Sequence, residues 1–313
     1  MPKIAFMFPG QGSQYVGMGK EFYDKIEVSR NIFEEAFEAL GSDFKKILFD
    51  GPKEKLDKTE YTQPAILTVS IAIAKAFEEE GIIPSAVCGL SLGEYSAFTL
   101  SGVFKFKDAA ELVKKRGRFM QEAVPFGKGS MAAVIGLDSG KVNDACSKAS
   151  KYGKVYPANY NCPGQIVISG EIKALENACK IAEDMGARRT IMLSVSGPFH
   201  SPMMEPASKK LKVELDKIKM GKMKTPVITN VTGNFIKDGE SVESILIKQI
   251  MNPVKWEHTI NTLIKNDFDV FVEVGPGRAL SGFVKKIDRK LKVFNVQNIE
   301  SFNNVISYVK GGR

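Results

Sequence analysis

The sequence predicts an α/β fold with a mainly parallel sheet, into which a smaller unit of a different rhythm is inserted. Two observations carry that prediction. Toward both ends of the chain, short β-type runs alternate with helical stretches, the signature of strands joined by crossover helices. Between them lies a block in the order strand, helix, strand, strand, helix, strand, the ferredoxin-like βαββαβ pattern.

In chain order, residues 3–8 read as a strand that stops at Pro9-Gly10, 63–80 as a helix, 86–89 as a strand, and 92–100 and 106–124 as helices. The inserted block follows, with strands at 131–136, 155–159, 165–169 and 189–195 and helices at 139–151 and 173–185. The last third resumes the first rhythm: strands at 227–231, 270–274 and 293–296, separated by helical runs at 242–250, 254–266 and 278–287. The predicted organisation is a discontinuous large domain, residues 1–126 and 196–313, and a small ferredoxin-like domain, residues 127–195. No internal repeat or low-complexity linker interrupts it.

Composition narrows the function classes. At 313 residues and 43% hydrophobic content, the chain can bury a sizeable core. Only two histidines are present, His200 and His258, which excludes a zinc cage built from several imidazoles. Cys88, Cys146, Cys162 and Cys179 show no tight spacing, which argues against a disulfide framework or a cysteine-rich metal site and points to a reducing cytoplasm. The longest nearly pure apolar run, 65–74, is far short of the roughly 18 residues a spanning helix needs, so neither a membrane anchor nor a signal peptide is expected.

Lysine and arginine number 44 against 36 acidic residues, and the surplus is concentrated in residues 197–313, with 19 basic against 12 acidic side chains. Lys285, Lys286, Arg289, Lys290 and Lys292 crowd one segment, able to steer an acidic partner or simply to form a solvated helix face. No aromatic residues interleave with these charges, so nucleic acid is not expected.

The sharpest motif is Gly89-Leu90-Ser91-Leu92-Gly93-Glu94, a G-x-S-x-G between a strand and a helix. In that setting the serine sits on a sharp bend with its hydroxyl at the sheet edge, and the glycines let neighbouring backbone pass closely. The Leu92 N–H, at the helix start, would face the oxyanion formed when Ser91 attacks a carbonyl. A second donor must come from another loop. The turn Pro9 to Gln14 opens at the same sheet edge, and Gln11 N–H is the candidate, although a Gly-rich turn of this kind is weak evidence alone.

A neutral serine needs a base within hydrogen-bond reach. His200 lies in the Gly/Pro-punctuated loop Ser196-Gly197-Pro198-Phe199-His200 after the last strand of the inserted block, whereas His258 lies in a polar helical run and reads as a surface side chain. The helix at 106–124 carries Arg116 and Arg118; a buried guanidinium near the serine would select an acyl group bearing a free acid. Composition alone does not single out Arg116, and a solvated stripe is the expectation for Lys114, Lys115 and Arg118.

Together these motifs resemble one family, malonyl-CoA:acyl carrier protein transacylase. The resemblance runs over nearly the whole chain: Phe8 to Gln14, Gly89 to Tyr95, Arg116-Gly117 with Met120-Gln121, Asn159-Tyr160-Asn161 with Pro163-Gly164-Gln165 and Ile168-Ser169-Gly170, Pro198-Phe199-His200, Gln249 with Asn252-Pro253-Val254, and Glu273 to Gly277. It implies an α/β-hydrolase-like large domain and ping-pong transfer of malonate from malonyl-CoA, through a Ser91 ester, to the pantetheine thiol of acyl carrier protein in fatty acid biosynthesis. By the same resemblance His200 is the base, the Gln249 carbonyl holds its ring, Gln11 and Leu92 N–H groups form the oxyanion hole, and Arg116, Asn161 and Phe199 bind the substrate.

The family usually has histidine before the nucleophile, where this chain has Leu90; that histidine is not the general base, so catalysis is expected to survive. Phe199 resembles the bulky residue of malonyl-selective members, and efficient turnover of methylmalonyl-CoA would count against that role. No metal or prosthetic group is implied, CoA being a substrate carrier, and a monomer is expected. Acyl carrier protein is acidic, which makes Lys285, Lys286 and Arg289, with Lys209, Lys210 and Lys212, the docking candidates. Two rival readings are an esterase or thioesterase, for which no clear triad acid lies between Ser91 and His200, and a catalytically silent docking protein.

Overall fold

The computed structural model describes residues 2–125 and 127–311. Strand β1 (Ile4–Phe8) is buried along its whole length. Helices α1 (Lys20–Lys25), α2 (Glu27–Leu40), α3 (Asp43–Phe49) and α4 (Lys53–Leu56) follow, and α5 (Thr59–Glu79) packs against α2 and α4. The sequence reading assigned nothing to residues 20–56. The apolar period is nonetheless there, since α2 buries Phe33, Ala36, Phe37 and Leu40 on one face. Helix α5 starts four residues before its expected start at 63 and holds Pro64 in its second turn.

Strand β2 (Ala86–Gly89) pairs in parallel with β1, and helices α6 (Leu92–Leu100) and α7 (Phe106–Glu122) follow. The second sheet is built from β3 (Gly129–Ile135), β4 (Val155–Cys162), β5 (Gln165–Glu171) and β6 (Arg189–Met192), with α8 (Ser139–Ala149) and α9 (Ile172–Asp184) between them. Its order is β4-β5-β3-β6, antiparallel throughout, as the βαββαβ pattern requires. One face, with Ala132, Val134, Ile166 and Ile168, packs under α8 and α9 in a core of its own; Met131, Ala133 and Val167 on the other face join the main core.

The chain returns through α10 (Glu205–Leu215), α11 (Val242–Gln249) and α12 (Trp256–Lys265) to β7 (Val270–Val274), then α13 (Ala279–Ile287), β8 (Lys292–Val296) and α14 (Ile299–Gly311). The main sheet has the order β2-β1-β7-β8 and is parallel. Alternate residues of β1 serve opposite faces: Phe6 and Phe8 belong to the core that includes residues of α5 and α6, Ala5 and Met7 to the one that includes residues of α12 and α13. Burial on both faces explains why β1 and β2 are continuous apolar runs, while the partly buried edge strand β8 carries Lys292 and Asn295.

The strand expected at 227–231 does not form. Val227 makes only an isolated bridge to Val87, and Ile228 one to Phe235. The ladder ends because Asn230 turns its backbone N–H and its side chain toward the β2–α6 turn. Helices α10 and α14 were not foreseen either. Among the described residues no helix is long and apolar enough to cross a membrane.

Candidate active site

Ser91 occupies the turn between β2 and α6 with φ 55° and ψ −100°, a conformation costly for a non-glycine residue and held here by its surroundings. Those surroundings allow no extra carbon. A Cβ on Gly93 would run into the Phe8 carbonyl, one on Gly89 into the Gly93 backbone, and one on Gly10 would lie 2.6 Å from the Leu90 carbonyl oxygen. Glycine at these positions lets the turn seat directly on the end of β1. Asn230 braces it from the other side: its Oδ1 accepts from Ser91 N at 2.7 Å, and its Nδ2 donates to the Gly89 carbonyl at 2.6 Å.

The loop after β6 brings His200 to the serine. Its Nε2 is 2.7 Å from Ser91 Oγ, and its Nδ1 is 3.0 Å from the carbonyl oxygen of Gln249 at the end of α11. A carbonyl can only accept, so Nδ1 carries the hydrogen and Nε2 presents a lone pair to the serine hydroxyl. Burial, reinforced by the positive charge of Arg116, pulls the imidazole pKa down to about 4. His200 is therefore neutral at ordinary pH. His258 is exposed on α12, as expected of a surface side chain.

Arg116 projects from α7, which approaches α5 so closely that a Cβ on Gly117 would lie 2.5 Å from the Thr59 carbonyl oxygen. The arginine is fully buried. Its Nη1 donates to Gln63 Oε1 at 2.8 Å; its Nη2 donates to Gln249 Oε1 at 2.9 Å and to Ser91 Oγ at 3.2 Å. Among the described residues no carboxylate lies within 4 Å of it. A buried guanidinium of this kind lacks a direct counter-ion beside a candidate nucleophile. Its neighbours on the helix behave differently: Lys115 pairs with Glu214 and Arg118 with Glu122, while Lys114 donates to the Leu40 carbonyl.

A cavity of about 580 Å³ opens over Ser91 and His200. Gln11 and Leu92 line it, and neither backbone N–H has an acceptor among the described residues. Asn161, Phe199 and Leu90 also line it. Asn161 is buried and its Oδ1 has no partner among the described residues, which leaves an acceptor available on the wall. Helix α13 closes one side through Ala279, Leu280 and Phe283, and carries Lys285 and Lys286, both exposed, as is Arg289 just beyond it. Lys285 donates to the carbonyls of Arg289 and Leu291, and Lys286 to Gln165. Lys209, Lys210 and Lys212 are each paired with an acid on or near α10. Among the described residues no cluster of three or more His, Cys, Asp or Glu side chains is arranged to hold a metal ion.

Three residues of the site escaped the sequence reading: Gln63, Glu94 and Asn230. Glu94 is fully buried, and burial pushes its pKa up to about 7 against the donors that surround it. Its signal was a lone acid inside the otherwise apolar start of α6. Asn230 had no local signal, because its contacts lie some 140 positions away in sequence.

The chain matches the acyl transferase domain family over residues 5–306. It is 46% identical to the malonyl CoA-acyl carrier protein transacylase of Bacillus subtilis, across 99% of this chain and 98% of that one. The crystal structure of the transacylase of that name from Clostridium perfringens superposes with a TM-score of 0.96 at 46% identity, covering 99% and 98% of the two chains. A malonyl-transacylase solved in complex with its type II polyketide acyl-carrier protein superposes with a TM-score of 0.95 at 40% identity, covering 98% and 99%. With this serine turn, histidine and buried arginine on that fold, the chain belongs to the malonyl-CoA:acyl carrier protein transacylases of the acyl transferase family.

Proposed function

We infer that this chain transfers a malonyl group from malonyl-CoA to the pantetheine thiol of acyl carrier protein, by a ping-pong route through an ester on Ser91, in fatty acid biosynthesis. The observation that carries the reading is the buried Arg116 guanidinium, without a carboxylate within 4 Å among the described residues and 3.2 Å from the serine hydroxyl. It fits an acyl group that ends in a carboxylate. The carrier-protein complex of a relative and the relatives' names point the same way.

In the first half-reaction Ser91 Oγ attacks the thioester carbonyl while His200 Nε2 takes its proton. The oxyanion is held by the N–H groups of Gln11 and Leu92. The tetrahedral intermediate collapses, the C–S bond breaks, and His200 returns the proton to the CoA thiolate. In the second half the carrier-protein thiol gives its proton to His200 and attacks the ester; on collapse Ser91 Oγ leaves and recovers the proton. The Gln249 carbonyl keeps the ring in the required tautomer and steadies the imidazolium, where a hydrolase would use an acid. Asn161 and Phe199 bound the acyl and pantetheine ends. The chemistry as written calls for no prosthetic group. The same reading takes the chain as a cytoplasmic monomer, with residues 127–195 a small domain inserted between 1–126 and 196–313.

Intact-mass detection of a malonyl adduct tests it. The adduct is expected on Ser91, absent in Ser91→Ala and weakened in Arg116→Ala. An adduct that drains only to water would identify a hydrolase instead, and no adduct at all would leave only a binding protein.

A further inference from the structure

We propose that Glu94 is a positioning residue for acyl-group selectivity: by accepting from two donors at once, its carboxylate locks the Gln249 amide in the one orientation that aims Arg116 at the substrate. This rests on the reading that Arg116 takes the acyl carboxylate. Glu94 Oε1 accepts from Asn230 N at 2.8 Å, and Oε2 accepts from Gln249 Nε2 at 2.6 Å. The other hydrogen of that amide nitrogen goes to the Ser91 carbonyl at 2.7 Å. Gln249 Oε1 is thereby left facing Arg116 Nη2 at 2.9 Å. Turned over, the amide would set its oxygen against two acceptors and its NH₂ against a guanidinium. In a site this buried, an orientation with three mismatched partners is not populated.

Only a group with two acceptors satisfies this arrangement. The isosteric amide of Glu94→Gln has one acceptor for two donors. The Asn230 N–H is main chain and cannot turn away, so it keeps the new oxygen, and the new NH₂ then faces Gln249 Nε2. The Gln249 side chain must flip or withdraw, and either movement takes Oε1 off Arg116. Its main-chain carbonyl is independent of the side-chain torsions, so the bond to His200 Nδ1 survives. His200 therefore keeps its tautomer and its place beside Ser91, the Ser91 carbonyl gives up its bond from Gln249 Nε2 but the turn keeps its brace from Asn230, and the carboxylate-binding group loses its aim. Loss of the Glu94 charge by itself acts the other way, since it would strengthen anion binding at Arg116. The two effects differ in sign, and one experiment separates them.

The experiment measures kcat/KM of the full chain for malonyl-CoA and acetyl-CoA at about pH 8, with carrier protein bearing its pantetheine arm as acceptor. Glu94→Gln is expected to lower the malonyl value roughly 30-fold, the worth of one charge-assisted hydrogen bond in a buried site. The acetyl value should move by less than about threefold, the carboxylate-free acyl group having no use for Arg116. Equal losses on both substrates would reduce Glu94 to a structural part, and a rise in the malonyl-to-acetyl ratio would make it a counter-charge; either overturns the proposal. Gln249→Met removes the amide and keeps the main-chain carbonyl. It should lower the ratio as well, and an unchanged ratio overturns the proposal even if Glu94→Gln does not fold. A wild-type chain with no preference for malonyl-CoA would instead refute the Arg116 reading on which the proposal rests.

Discussion

His200, the base proposed for Ser91, is a weak base in the folded protein, and this has a measurable signature. His200 is held near 4, first by burial and then by the charge of Arg116. Arg116 Nη2 lies 3.2 Å from Ser91 Oγ and that oxygen 2.7 Å from His200 Nε2, which caps the guanidinium-to-imidazole separation at 5.9 Å. At an effective dielectric of about 20, a unit charge at that distance opposes protonation of the ring by about 3 kcal/mol, or about 2 pK units. The perturbation is Arg116→Gln, read by the rate at which an uncharged sulfonyl fluoride inactivates Ser91 as a function of pH. That reagent needs neutral His200 but no acyl carboxylate. In the wild type the rate should hold its plateau down to about pH 5 and fall by half near pH 4, because a depressed imidazole pKa keeps the base form available to lower pH. In Arg116→Gln the half-point should move up by about 1 to 2 units yet stay below the ordinary 6.5, since burial remains. A wild-type half-point near 6.5 would refute the burial argument. A half-point that does not move in the variant would refute the electrostatic one.

Two further outcomes follow from packing and charge. Gly93→Ala drives a methyl group into the Phe8 carbonyl, a backbone atom in a strand paired on both sides, and should cost about 2 kcal/mol or more in chemical denaturation and abolish sulfonyl fluoride labelling of Ser91. Reversing the exposed cations Lys285 and Lys286 to glutamate should raise the carrier-protein KM several-fold at low salt, with the difference shrinking as salt is added; an unchanged KM would move docking away from α13.

The parts of this protein that were legible in its sequence are those whose signal is local. Strands β1 and β2 announce themselves because burial on both faces keeps them apolar, and β2, α6 and β7 begin and end where the sequence put them. The second sheet was readable as an order of elements, each strand pairing within one stretch of about 65 residues. The strand expected at 227–231 failed for a non-local reason. Its apolar composition suits a strand, but Asn230 gives its backbone N–H to Glu94 and its amide to the serine turn. Helices α1, α3 and α4 were missed for the opposite reason: each runs seven residues or fewer, too short for a period to stand out, whereas the 14 residues of α2 did carry a readable apolar face.

The site divides along the same line. Ser91 and His200 were singled out by a turn motif and by the choice between two histidines, and the structure sets them 2.7 Å apart. Arg116 was different: from residue types alone it was one of four cations in a five-residue run, and only the family resemblance set it apart. The structure supplies the physical distinction. Arg116 alone of the four is buried, because it falls on the face of α7 that carries Val113, Gly117 and Met120, while Lys114, Lys115 and Arg118 fall on the flanks. A helical projection of the apolar residues of α7 would have placed it there. No such projection reaches Gln63, Glu94 or Asn230, because their roles are defined by partners 53 to 155 positions distant. Glu94 still carried one readable anomaly, an acid at the start of a helix whose other residues are apolar or small. An ionisable group that folding buries must find donors, and at a nucleophile turn the donors at hand are the ones that hold the catalytic groups. A lone acid three residues after a G-x-S-x-G serine, in an otherwise apolar helix start, is thus itself a sequence signal for a positioning network around the nucleophile.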